Sequence, residues 1–116
     1  MALASIDRFL FARRNKNYDC LDFAAEVWEA ITAEDIRDRL GSLLNRNLRS
    51  VGSVRTNFKR LSEPEEPCFV VFHSDRNDAH VGVFLRGRVL HLLHSAPEFM
   101  ELDVAGRGFT RVRFFR

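Results

Sequence analysis

At Ser62-Glu63-Pro64-Glu65-Glu66-Pro67 the chain changes character, and its apolar residues are spaced differently on the two sides of that segment. Upstream, Cys20, Phe23, Ala24, Val27, Trp28 and Ile31 recur at helical spacing and share one helix face. Downstream, Cys68-Phe69-Val70-Val71-Phe72 is an unbroken apolar run rich in β-branched and aromatic residues, the pattern of a buried strand. The two prolines fix φ and lack an amide hydrogen, so neither element runs through the connector. Helices followed by strands, rather than alternating with them, predict an α+β fold: amino-terminal helices packed on a carboxy-terminal antiparallel β-sheet.

In the first half, Asp19 is a good helix cap, and the pattern after it predicts a helix over about residues 20 to 31. Ser5 is expected to cap a short first helix over residues 5–14, with Ile6, Phe9 and Leu10 on one face before the polar loop Arg13-Arg14-Asn15-Lys16-Asn17. Thr32 is expected to cap another helix through Ile36, Leu40, Leu43 and Leu44, and a further helical stretch is expected around Val51 to Leu61. In the second half, His80 to Leu85 and Arg88 to His94 read as two strands about an Arg86-Gly87 turn. Segments near Phe99 to Val104 and Phe109 to Phe115 are expected to add two more.

A length of 116 residues predicts a single domain over residues 1–116, and 46% hydrophobic with 29% charged residues is the balance of a soluble globular protein. Eleven phenylalanines bury much area per residue and partly offset the poor surface-to-volume ratio of so small a domain. A net charge of +2 is too mild to imply a polyanion partner, and the basic residues lack the interleaved aromatics that stack on bases; no nucleic-acid partner is expected. Charged Asp7 and Arg8 follow Met1-Ala2-Leu3-Ala4-Ser5 at once, so neither a signal peptide nor a membrane span is expected. Another device must then carry the protein to any extracytoplasmic substrate. Cys20 and Cys68 fall in different kinds of element and are both expected to be free thiols.

Cys20 immediately follows its cap, where the helix dipole and free amides favour a thiolate, the state of a nucleophile. It also belongs to the apolar stripe of its helix, where a cysteine packs as a small hydrophobe. Two histidines bear on that choice. A two-residue turn at Arg86-Gly87 sets Leu85 opposite Arg88, Phe84 opposite Val89, Gly82 opposite His91 and His80 opposite Leu93. His80 and His91 then project from one face as diagonal neighbours, roughly 7 to 8 Å apart at the backbone, with Gly82 leaving room beside them. The same register sends His94 to the other face. One ring can act as a base while the other holds its tautomer, the task Asp or Asn performs elsewhere. A zinc site would need further ligands; His73 and Cys68 lie within imagination, but the usual short spacings are missing, so neither metal nor cofactor is expected.

Tyr18-Asp19-Cys20 opening a helix, with His80-Val81-Gly82-Val83-Phe84-Leu85 and Val89-Leu90-His91 about one turn, resembles the signature of NlpC-type cysteine peptidases of bacterial cell walls. The resemblance spans residues 17–116, and the ending Val112-Arg113-Phe114-Phe115-Arg116 is similar to the last strand of short phage-encoded members. It implies a papain-like NlpC-type fold with Cys20 as nucleophile, His80 as base and His91 as the residue that orients the base. It implies peptidoglycan stem peptides as substrate and phage tail-tip proteins as partners. The expected location is the virion tail, made in the host cytoplasm and acting at the cell wall. Leu21-Asp22-Phe23 stands where many members have small residues, and Glu66-Pro67-Cys68 replaces the usual Gly-Asp turn. Tyr18, the only tyrosine, is too close to Cys20 for the oxyanion role that an upstream tyrosine has in some members; a backbone amide at the helix start is the alternative. A second reading is a catalytically silent assembly module of a tail tip on the same fold, docking through the basic run that holds Arg46, Arg49, Arg55, Lys59 and Arg60. The composition of that run, from Arg39 to Arg60 with no acidic residue among its basic ones, favours a solvated helix face over docking.

Overall fold

The computed structural model describes residues 2–44, 58–75, 79–94 and 96–116. Helix α1 (Cys20–Thr32) starts at a reciprocal cap: the Asp19 carboxylate accepts from the amides of Leu21 and Asp22, and the Asp22 carboxylate accepts from the Asp19 amide. These bonds satisfy amides that the helix itself leaves without partners, which is why the helix begins at the predicted residue. It ends at Ala33, whose left-handed φ of 63° turns its amide onto the Glu29 carbonyl.

Three expectations for the first half are corrected. The first helix is a 3-10 helix over Ala2–Phe11, so it starts before Ser5 and stops before the polar loop. Its three-residue turn brings Phe9 into the core while Leu10 and Phe11 face solvent, splitting the pair that a wider helical period would have kept together. Thr32 closes α1 rather than opening the next helix, because its hydroxyl donates to the Trp28 carbonyl at 2.8 Å. Helix α2 (Arg37–Leu44) therefore starts later, with Ile36 and Leu40 buried. The expected stretch from Val51 lies outside the described residues up to position 57, and Arg60–Leu61 is a strand rather than a helix.

The strands are β1 (Arg60–Leu61), β2 (Cys68–His73), β3 (Ala79–Leu85), β4 (Arg88–Leu92), β5 (Pro97–Glu101) and β6 (Arg111–Phe115). They form one antiparallel sheet in the spatial order β1-β6-β2-β3-β4-β5, giving the α+β class that the sequence predicts. The strand expected to run to Val104 ends at Glu101, and Leu102–Ala105 form the short helix α3. Phe109 falls in the turn before β6 rather than in the strand. Strand β4 stops at Leu92, so His94 is an exposed residue of the following turn and not a strand residue on the opposite face.

Alternation along the strands creates two different faces. Phe69, Val71, Val81, Val83, Leu90 and Leu92 meet Phe23, Ala24, Val27 and Trp28 of α1, with Trp28 stacked on Phe69 at 4.3 Å between ring centres. The other face carries Val70, Phe72 and Val89, covered by Ala105 of α3 and by Phe109. Both cysteines are free thiols. No helix among the described residues is long and apolar enough to cross a membrane.

Because the Asp19 carboxylate satisfies two amides at the start of α1, Asp19→Ala is expected to cost about 1 kcal/mol of stability. Urea denaturation, read by far-ultraviolet circular dichroism, measures that loss.

Candidate functional site

The hairpin of β3 and β4 turns at Arg86 and Gly87, both at positive φ (51° and 77°), the pairing that matches the twist of antiparallel strands. Its ladder runs through Leu85–Arg88, Phe84–Val89 and Val83–Leu90, the predicted register. The expected continuation to Gly82–His91 and His80–Leu93 does not form as ladder. In a regular hairpin Val81 and Leu92 would be the next pair to exchange hydrogen bonds. Instead the Leu92 carbonyl accepts from Arg14 Nη2 at 3.0 Å.

Gly82 sits where the two strands pinch together before this break. A Cβ added there would lie 2.6 Å from Val89 Cγ1 and 2.9 Å from the His91 Cβ, closer than carbon atoms approach. The glycine thus lets β4 pass beneath β3 and brings the two histidines into contact. His80 Nε2 lies 2.8 Å from His91 Nδ1, and the rings are packed among Phe72 and Phe109, with Phe109 parallel to His80 at 6.0 Å. They occupy the sheet face opposite to α1, shared with Phe72, the β2 partner of His80.

The contact constrains the protons. If His80 Nε2–H donates to His91 Nδ1, His80 keeps a free lone pair on Nδ1 and can act as a base, while His91 carries its own proton on Nε2. His91 is 1% exposed, and its Nε2 has no hydrogen-bond partner among the described residues. Burial lowers the His91 pKa to about 4. Burial, then His91 and Arg14, lower that of His80 to about 3. Both rings are neutral at pH 7.

Cys20 comes to the same place from the other face. Its sulfur is half-buried at the start of α1. No hydrogen bond joins Cys20 to His80 among the described residues; the hydrogen-bonding partner of the His80 ring is His91. Burial pushes the Cys20 thiol up and the Asp19 charge adds to the rise, while the Val81 amide and Arg14 pull it down. Burial thus opposes the thiolate that the helix start favours.

Arg14 is the site residue that sequence reasoning missed. It belongs to a polar run read only as loop, where nothing separates it from Arg13. In the structure Asn15 and Tyr18 exchange backbone hydrogen bonds of 3.0 and 3.1 Å, and ahead of this tight turn Arg14 reaches the Leu92 and Leu93 carbonyls. Arg13 instead binds the carbonyls of Leu10 and Ala12.

The remaining candidates lie elsewhere. The Tyr18 hydroxyl is engaged by Glu26 at 3.1 Å, and burial together with that carboxylate raises its pKa. His73 accepts from Arg113 Nε at 3.0 Å. Cys68 is buried opposite Phe84. No group of three or more His, Cys, Asp or Glu side chains able to hold a metal occurs among the described residues. Of the basic run, Arg46, Arg49 and Arg55 lie outside the described residues; Lys59 exchanges backbone hydrogen bonds with Arg116, and Arg60 lies over the Phe115 ring at 5.9 Å. Comparison with protein-family models, with curated proteins and with solved structures finds no match for this chain.

Two outcomes follow from this geometry. Gly82→Ala forces β3 and β4 apart and is expected to lower stability by about 1–3 kcal/mol, measured by urea denaturation. The histidine pair makes stability fall in acid. The unfolded rings, with pKa about 6.5, take up protons that the native rings refuse. The stabilisation is therefore complete above about pH 6.5 and is lost as pH falls through the lowered native values. Urea midpoints across that interval check the slope, which is expected to be shallower in His91→Gln.

Proposed function

We propose that this chain is a papain-like thiol hydrolase of the NlpC type that cleaves amide bonds in peptidoglycan stem peptides, acting as a component of a phage tail tip. The observation that carries the chemistry is the 2.8 Å contact of His80 Nε2 with His91 Nδ1, formed beside the end of the β3–β4 ladder. This contact orients His80 so that Nδ1 is the nitrogen left to exchange a proton with the thiol. The substrate class and the phage setting rest on the sequence resemblance.

With both partners neutral at rest, His80 acts first as general base. It takes the Cys20 proton as the sulfur attacks the amide carbonyl, and a carbon–sulfur bond forms. The carbon–nitrogen bond then breaks, with the same proton passing from His80 to the leaving amine. Water, deprotonated by His80, hydrolyses the thioester and regenerates the thiol. Asp19 caps the amides of Leu21 and Asp22, which leaves the Cys20 amide outside that set of bonds and near the carbon under attack, a donor for the developing oxyanion.

The burial of the Cys20 thiol favours a second reading, a catalytically silent assembly module on the same fold. Incubation of the purified protein with muropeptides separates the two. The hydrolase reading expects amide cleavage by the wild type and none by Cys20→Ala, with His80→Ala reduced by about 10²- to 10⁴-fold. Equal product release by wild type and Cys20→Ala would sink it.

A further inference from the structure

We propose that Arg60 of β1 and Arg113 of β6, set over the Phe115 ring with Arg111 beside them, form a binding site for the terminal phosphate of a small phosphorylated molecule. The site lies on the sheet face opposite to the histidine pair and does not depend on the chemistry of Cys20.

Strand register gathers the three guanidinium groups. Arg60 stands opposite Phe115, and Arg111, Arg113 and Phe115 alternate onto one face of β6. This is the face that α1 packs against, since Phe115 stands opposite Phe69 and Phe69 stacks on Trp28. The contacts of α1 with the sheet fall mainly on β3 and β4, and at the far end Arg60 and Arg111 are exposed and Arg113 is partly exposed. The buried Phe115 ring holds two cations at once: Cζ of Arg113 lies 5.2 Å from its centre and Cζ of Arg60 lies 5.9 Å from it. Arg113 is fixed further through Nε, which donates to Nε2 of buried His73 at 3.0 Å.

The protein's own carboxylates do not neutralise this pair. Arg60 and Arg111 form no ion pair among the described residues, where Arg37, Arg39 and Arg116 each have a carboxylate partner. Glu65, in the connector after β1, is the partner of Arg116 at 3.8 Å. His73, opposite Arg111 on β2, accepts from Arg113 through a nitrogen without a proton, so its ring is neutral in this contact. An aromatic ring attracts a cation through its quadrupole but carries no net charge, so two guanidinium groups drawn to one ring still repel each other.

An anion between Arg60 and Arg113 turns that repulsion into attraction on both sides. The two oxygens of a carboxylate are filled by one bidentate guanidinium fork, whereas a terminal phosphate has a third oxygen for the second fork and close to two negative charges to balance the two cations. Arg111, two residues from Arg113 on the same strand and roughly 7 Å away at the backbone, adds a third positive charge to the field at the site.

Titration of the full chain at low ionic strength, followed by phosphorus nuclear magnetic resonance, tests this with inorganic phosphate and with glycerol phosphate as probes. Saturable binding is expected for at least one of the two; tighter binding of glycerol phosphate assigns the site to a phosphate ester, and equal or tighter binding of inorganic phosphate assigns it to the free ion. Arg60→Gln, at an exposed position of an edge strand, is expected to weaken binding about tenfold with an unchanged circular dichroism spectrum, and Arg60→Lys to restore only part because the fork is lost. Arg88→Gln removes a guanidinium that lies over Phe99 at 5.8 Å on β4 and is expected to change binding by no more than about twofold, the effect of net charge alone. Glutarate is expected to compete more weakly than either phosphate. The absence of saturable binding by both probes overturns the proposal, as does an equal loss in Arg60→Gln and Arg88→Gln or a glutarate affinity that matches phosphate.

Discussion

The site depends on β3 and β4 ceasing to pair beyond Val83–Leu90. A sheet hydrogen bond contributes only about 1 kcal/mol net, but a buried donor or acceptor left without a partner costs more than that. The break is tolerable because the freed groups find new partners. The Leu92 carbonyl takes the Arg14 guanidinium. An intact hairpin would separate the helix-side cysteine from the histidines on the other face. In the opening the Arg14 guanidinium is fixed on the carbonyls of Leu92 and Leu93.

Burial then sets the protonation states. It raises the thiol and lowers both imidazoles, so a preformed ion pair is disfavoured even at a helix start. The packing that imposes this restriction also supplies order: Phe72 and Phe109 confine the rings, and Gly82 brings their strands close enough for the short His80–His91 contact. The price of that order is the buried His91 Nε2 without a partner among the described residues.

Several parts of this arrangement were legible because they rest on short-range rules. Asp19 announces the start of α1, since a capping carboxylate acts within one helical turn. Arg86-Gly87 announces the turn, and a strand period of two carries the register outward to put His80 and His91 on one face. Where the same rules extended too far they failed. Strand alternation predicts a register past Val83 that does not form, and Thr32 predicts a helix start where its hydroxyl closes the helix before it. Each of those outcomes depends on which competing partner lies nearby in space, and no local pattern contains that information.

The chain's own order of residues was sufficient for the α+β class, the α1 boundary, the hairpin turn and the pairing of two histidine rings, because caps, turns and alternation act over a few residues. Arg14 illustrates the opposite case. Its side chain reaches carbonyl groups 78 and 79 positions away, and its neighbour Arg13 has the same chemistry but binds only local carbonyls. The ionisation of Cys20, His80 and His91 likewise followed from folding, since desolvation depends on what the completed core packs around each group.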